Sequence, residues 1–127
     1  MNKIDNIIRK AISASYKVHN TLGAGFLEKV YEKALCIELK NIEMNVEQQF
    51  PITVYYKSEK VGFYYVDQYI NNIPIVELKA AENLCLAHEI QLVNYLVATN
   101  IDDGLLMNFG QKSVEVKRKF RTYNKNS

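Results

Sequence analysis

The sequence predicts an α/β fold: a central mixed sheet flanked by helices, in the order α-α-β-β-β-α-β-β. Three observations carry that expectation. Apolar residues recur at helical spacing, then at a spacing of two, then helically again, and finally at two. Short polar turns join three consecutive extended segments, which are most simply an antiparallel meander. A helix then separates the third extended segment from a fourth, and such a crossover normally makes a parallel pair. The sheet is therefore mixed, with helices packed on its faces.

Ile4, Ile7, Ile8, Ala11, Ile12, Ser15 and Val18 place an amphipathic helix over roughly residues 3–20. Gly23 and Gly25 punctuate the chain, and a second helix follows at once. Its stripe is Phe26, Val30, Ala34 and Ile37, flanked by Leu27, Tyr31 and Leu35, and it should run to about Lys40 and stop near Asn41. Val46, Gln48 and Phe50 suggest a strand that Pro51 interrupts. Ile52, Val54 and Tyr56 form the next, ending at the turn Lys57-Ser58-Glu59-Lys60. Val61, Phe63, Tyr65, Asp67 and Tyr69 alternate with their neighbours up to the turn Asn71-Asn72, and Ile75 to Lys79 returns as a strand. A third helix should start near Asn83, a suitable N-cap, and run to about Thr99, burying Leu86, Ile90, Val93 and Val97. Leu105 to Phe109 reads as a strand covered on both faces, and Val114, Val116, Arg118 and Phe120 as the last strand.

A chain of 127 residues, 48% hydrophobic and 24% charged, fits one domain able to build its own core. One domain is expected over residues 1–127, with a basic, frayed tail at 120–127. Cys36 and Cys85 both fall in periodic apolar stretches, so buried thiols in a reducing cytosol are expected rather than a disulfide. No apolar run approaches a bilayer's thickness, and the first segment lacks a signal peptide's unbroken apolar stretch. Cytoplasmic residence with no membrane partner is the expectation. A net charge of +2 argues for no partner strongly. The basic cluster near the C-terminus, with Lys117, Lys119 and Arg121, is either a set of phosphate contacts or a solvated terminal strand.

Glu77 and Lys79 are two apart on a strand, so they leave the same face. Charged groups among apolar neighbours need a partner, because unpaired burial is costly. Either the two form a salt bridge, or Glu77 binds a divalent cation while Lys79 orients water. Asp67 on the preceding strand decides how much the second possibility weighs. A strict two-residue loop at Asn71-Asn72 puts Asp67 and Glu77 on opposite faces. A three-residue loop or a bulge pairs Ile70 with Pro74 and Asp67 with Glu77, and this arrangement is expected. Opposed carboxylates make sense around a cation or a shared proton. Oxygen donors without a histidine–cysteine cluster suit Mg²⁺ or Mn²⁺ rather than zinc. His19 and His88 lack metal-ligand spacing and are expected to be structural.

Glu28 and Tyr31 share one side of the second helix, and Glu28 sits in its first turn, where a carboxylate is electrostatically favoured. His88, Gln91 and Tyr95 form a polar stripe on the third helix. It is either a half-buried shoulder or a side wall to the carboxylates, with Gln91 donating to a substrate or ligand.

The run Gly25-Phe26-Leu27-Glu28-Lys29-Val30-Tyr31 resembles the motif that names the bacterial and archaeal GxxExxY family, a compact branch of the PD-(D/E)XK nucleases. The resemblance covers roughly Ile7 to Lys119. It includes His19 with Leu22-Gly23, Ile75-Val76-Glu77-Leu78-Lys79-Ala80, the block from His88 to Leu96, and Gly104 to Gly110. It implies a restriction-endonuclease-like core and a divalent-metal-dependent nuclease acting on DNA or RNA. Asp67 and Glu77 would be the metal-binding acids, joined by Glu28 as the accessory acid. Lys79 would activate water, and Gln91 would be the polar residue of the following helix. Tyr65 stands where the family usually has arginine, and Ala24 where it often has proline. Two rival functions stand beside the enzyme: a non-catalytic nucleic-acid-binding or regulatory module, and a partner-binding protein in which Glu77 and Lys79 are only a salt bridge. A homodimer or another protein subunit is compatible with the small size.

Overall fold

The first helix, α1 (Lys3–Leu22), begins where Asn2 is extended and its side chain accepts the Asp5 N–H at 2.8 Å. A computed structural model of the chain describes residues 2–121. Ile7, Ile8, Ala11, Ala14, Ser15 and Val18 turn inward, in keeping with the expected stripe, and Ile4 stays outside. His19 is structural as expected: its Nε2 lies 2.6 Å from the Gly110 carbonyl and its ring stacks on Phe109.

The loop before α2 (Glu28–Asn41) needs two residues in the left-handed region, and both are glycines, Gly23 at φ 74° and Gly25 at φ 102°. Tyr31 locks it. Its buried hydroxyl donates to the Gly23 carbonyl at 2.7 Å and accepts the Phe26 N–H at 3.2 Å, and its ring stacks on Phe109 with centroids 4.5 Å apart. The helix buries Tyr31, Glu32, Leu35, Cys36 and Leu39. The expected stripe of Phe26, Val30 and Ile37 is exposed instead, because the clamp at Tyr31 sets the helix rotation.

Five strands follow in the spatial order β1-β2-β3-β4-β5: β1 (Val46–Tyr56), β2 (Glu59–Ile70), β3 (Pro74–Lys79), β4 (Asp103–Phe109) and β5 (Val114–Phe120). The β3–β4 pair is parallel and the others antiparallel, so the mixed sheet with its helix crossover is as predicted. The interruption expected at Pro51 does not occur. β1 runs straight through it, paired to Tyr65, because β1 lies at the edge of the sheet, where a missing N–H is tolerated.

Helices cover both faces. On one, α1 and α2 pack on Ile70, Val76, Leu78, Leu105, Met107 and Phe109. On the other, α3 (Leu86–Thr99) packs Leu92, Tyr95 and Leu96 on Ile52, Val66, Ile75 and Leu106. α3 starts later than Asn83: Cys85 is the N-cap, and its N–H donates to His88 Nδ1 at 3.3 Å. Cys85 is exposed, contrary to expectation, while Cys36 is buried. Of the expected buried stripe, Leu86, Ile90 and Val97 are exposed. Gly104 explains the choice of face, since a Cβ there would meet three side-chain atoms of Leu92 at 3.2 Å. The glycine leaves the seat into which Leu92 settles.

Replacing Tyr31 with phenylalanine keeps the stacking and removes both hydroxyl contacts. Urea denaturation should show a loss of about 1–2 kcal/mol, the cost of leaving the Tyr31 pocket and its part-buried backbone partners without these hydrogen bonds. An unchanged midpoint would mean that the loop does not depend on Tyr31.

Candidate functional site

The site is built by a one-residue register choice. Asn71 (φ 49°) and Asn72 (φ 56°) both occupy the left-handed region, and the Ile73 N–H donates to the Ile70 carbonyl at 2.9 Å, which makes a tight primed turn. That turn alone would set Ile70 opposite Ile73. The strands instead pair Tyr69 with Ile75 and Gln68 with Val76, so one extra residue is taken up on the β3 side. Pro74 sits there and has no N–H to contribute to a ladder. Carried on by one residue, this register sets Asp67 across from Glu77, the arrangement expected from the sequence.

At that level side chains take over the role of the backbone ladder. The Asp67 N–H donates to Glu77 Oε1 at 3.2 Å, and the Leu78 N–H donates to Asp67 Oδ2 at 2.7 Å. Glu77 Oε2 lies 3.8 Å from Lys79 Nζ. The two acids and the ammonium group thus converge, with Glu77 buried and Lys79 half-buried.

A change of face in the β1–β2 ribbon accompanies this convergence. Val46 and Ile70 belong to the core under α1 and α2, whereas Ile52 and Val66 belong to the core under α3. Each pair is separated by an even number of residues and would share a face in regular strands. The switch falls at Gln49, a non-glycine residue at φ 53° beside Asp67, between the Gln48–Gln68 and Phe50–Val66 pairs. Such a conformation costs on the order of 1 kcal/mol and persists where surroundings hold it. Here Gln49 Nε2 donates to both oxygens of Glu32, at 3.1 and 3.2 Å, and its side chain also hydrogen-bonds Asp67. Glu32 is itself buried and bonded to Lys29.

Charge is tightly confined here. Burial is the main reason that the Asp67 carboxyl is pushed up to about 6, with the charges of Glu32 and Glu28 adding to it and the Leu78 N–H opposing it. Burial and then the charge of Asp67 push Glu77 up to about 8, against the pull of Lys79. The pair therefore resists carrying two negative charges. Burial, followed by the charges of Glu77, Tyr64 and Asp67, also raises the Tyr95 hydroxyl.

The other expected residues separate into three groups. Glu28 starts α2, is exposed, and is felt by both acids only through its charge. Among the described residues no three acids, histidines or cysteines come together as a metal cluster, so the trio Asp67–Glu77–Glu28 does not close. Gln91 is exposed and lines a neighbouring groove with Tyr95, while Tyr31 and His88 serve the loop and the helix cap. Lys117 and Lys119 both bind Glu89, at 3.1 and 3.0 Å, and Arg121 pairs with Asp102 at 2.9 Å. These cations are engaged within the molecule. The tail beyond Arg121 lies outside the described residues.

Sequence reasoning missed Glu32 and Gln49. Glu32 follows Glu28 by one helical turn, and two like charges at that spacing repel unless something binds them. That was the available signal. Gln49 had none, because its importance lies in a backbone angle.

A family model of the PD-(D/E)XK nuclease superfamily matches residues 5–119. The crystal structure of SSO0001 is similar in fold, with a TM-score of 0.62 at 16% identity over 76% of this chain. The match covers 52% of SSO0001, so the chain spans about half the length of that protein. No curated protein matches the sequence.

Because the folded protein holds the Glu77 proton more tightly than the unfolded chain, its stability is greatest below pH 4.5 as far as this group is concerned. It declines as pH rises towards about 8. In EDTA at pH 8.5, Glu77→Gln should therefore be more stable than wild type by up to about 5 kcal/mol, at about 1.4 kcal/mol for each unit of the rise. The advantage should vanish near pH 4.5. Parallel stability–pH curves for the two proteins would refute the assignment.

Proposed function

We propose that this chain, which belongs to the PD-(D/E)XK nuclease superfamily, hydrolyses phosphodiester bonds with Mg²⁺ or Mn²⁺ held by Asp67 and Glu77. One observation carries this: two largely buried carboxylates are opposed across β2 and β3, each resisting ionisation beside the other. A divalent ion relieves that repulsion. Two carboxylates with water filling the remaining positions match the preference of Mg²⁺, which keeps much of its hydration shell.

When bound, the ion supplies positive charge for the phosphodiester oxygens and acidifies a water molecule. The chain's own residues do the rest. Asp67 and Glu77 fix the position of the charge, each oriented by a backbone N–H from or beside the opposite strand. Lys79, anchored by Glu77, orients the attacking water and steadies the negative charge that grows on the phosphoryl group. Gln49 and Glu32 hold Asp67 in place from the other side, and Glu28 adds negative potential that favours cation capture. The GxxExxY resemblance supports the same roles, with Glu28 acting through charge or water. Tyr65 in place of arginine supports a second reading, a module that binds nucleic acid without turnover.

Calorimetric titration with Mn²⁺ tests the site directly. Glu77→Ala should lower affinity by about 100-fold or more and abolish metal-dependent cleavage, and Asp67→Ala should do the same. Lys79→Ala should keep the metal affinity and lose about 100-fold in rate. Wild-type affinity should climb between pH 6 and 8, because the ion displaces a proton from the pair. Undiminished Mn²⁺ binding by Glu77→Ala would overturn the metal site, and nucleic-acid binding without metal or cleavage would favour the second reading.

A further inference from the structure

We propose that the tyrosine-lined groove between the β1–β2 hairpin and α3 binds single-stranded DNA, with bases stacked on its rings, and leads it to the carboxylate pair. The inference rests on the nuclease reading above and names the substrate form.

The groove has a volume of about 870 Å³, and Val54, Tyr55, Tyr64, Gln91, Asn94 and Tyr95 are among its walls. It accounts for residues that the fold leaves outside. Tyr55 and Tyr64 are 58% and 46% exposed, and Ile90 and Val97 on the adjoining face of α3 are 51% and 48% exposed. An apolar surface gathered in one place marks a binding site more often than chance.

Its chemistry selects the occupant. Among the described residues no carboxylate lines the groove, and the polar groups there include two side-chain amides, Gln91 and Asn94, and the tyrosine hydroxyls. Rings offer stacking faces and amides offer partners to base edges. Ammonium groups stand at the hairpin end. Lys60 is the cross-strand partner of Tyr55 and shares its face, and Lys57 follows in the turn, its Nζ 5.4 Å from the centre of the Tyr56 ring on the opposite face. At the other end is Tyr95, whose ring lies 5.5 Å from that of Tyr64 and which shares a core cluster with Val66, next to Asp67, and Ile75, two residues before Glu77. A strand laid between these points would meet cations, then rings, then the proposed cleavage centre.

Duplex bases are stacked on one another and have no free face for a tyrosine, so the strand must be unpaired. Ile90, Val97 and Val54 give its sugars an apolar wall. A ribose 2′-hydroxyl against that wall would lose a hydrogen bond to water, which favours deoxyribose.

Fluorescence anisotropy in EDTA tests the proposal, using a labelled oligothymidine, its duplex form with oligoadenosine, and an oligouridine of equal length. Tyr55→Leu and Tyr64→Leu, at exposed positions, remove rings while keeping bulk. Wild type should bind the oligothymidine at least about tenfold tighter than the duplex, and each substitution should weaken that binding about tenfold. Mn²⁺ affinity should stay unchanged in both variants. Equal affinity for the duplex, or tyrosine variants that bind as wild type, would overturn the groove assignment. Equally tight oligouridine binding would overturn the choice of DNA. A dimer in sedimentation that Tyr64→Leu dissociates would assign the groove to a second copy instead. Oligothymidine binding that depends on the tyrosines, without metal-dependent cleavage by wild type, would sink the nuclease reading and leave the groove standing. Metal-dependent cleavage with tyrosine-independent binding would do the reverse.

Discussion

The opposition of Asp67 and Glu77 is the constraint around which this molecule is arranged. It is electrostatically unfavourable by itself, so several features exist to hold it. The turn with one extra residue at Pro74 sets the register, and two backbone N–H groups grip one oxygen of each acid. A register shift of a single residue would turn one acid to the other side of the sheet. Most of the fold would survive that change, and the site would not.

Support also comes from further away, through a relay that begins in the loop before α2. Tyr31 fixes the rotation of that helix, and the rotation puts Glu32 inward and Glu28 at the surface. Glu32 accepts Gln49 through both oxygens, and Gln49 in turn touches Asp67. Buried Gln68 adds a bond from its Nε2 to the Glu32 carbonyl at 2.9 Å. The spacing from Gly25 through Glu28 to Tyr31 therefore has a mechanical meaning. It aligns one helix so that Glu32 turns inward onto Gln49, beside the strand that carries the first carboxylate.

Much of this was legible in the sequence, for identifiable reasons. Period-two and period-3.6 patterns located the elements, and the polar pair of asparagines located the turn that matters. Faces were harder. α3 is apolar on two sides, so Leu86, Ile90 and Val97 competed on equal terms with Leu92 and Leu96. Only the seat at Gly104, a tertiary fact, distinguishes them. Pro51 misled because its tolerance depends on whether β1 has one neighbour or two. The twist at Gln49 leaves no compositional trace, and the pairing of Lys117 and Lys119 with Glu89 joins residues about thirty positions apart. Such pairings follow from the assembled fold and are invisible to local patterns.

The internal neutralisation of β5 has a consequence for how the protein meets polyanions. Lys117, Lys119, Arg118 and Arg121 already have acidic partners in Glu89, Asp5, Asp103 and Asp102. Few of these charges are free to displace counterions from a passing phosphate backbone, and that displacement is what makes indiscriminate adhesion strong in dilute salt. On the nuclease reading, residence on a polymer would then be decided at short range, by shape and by what the exposed rings of the proposed groove can grasp.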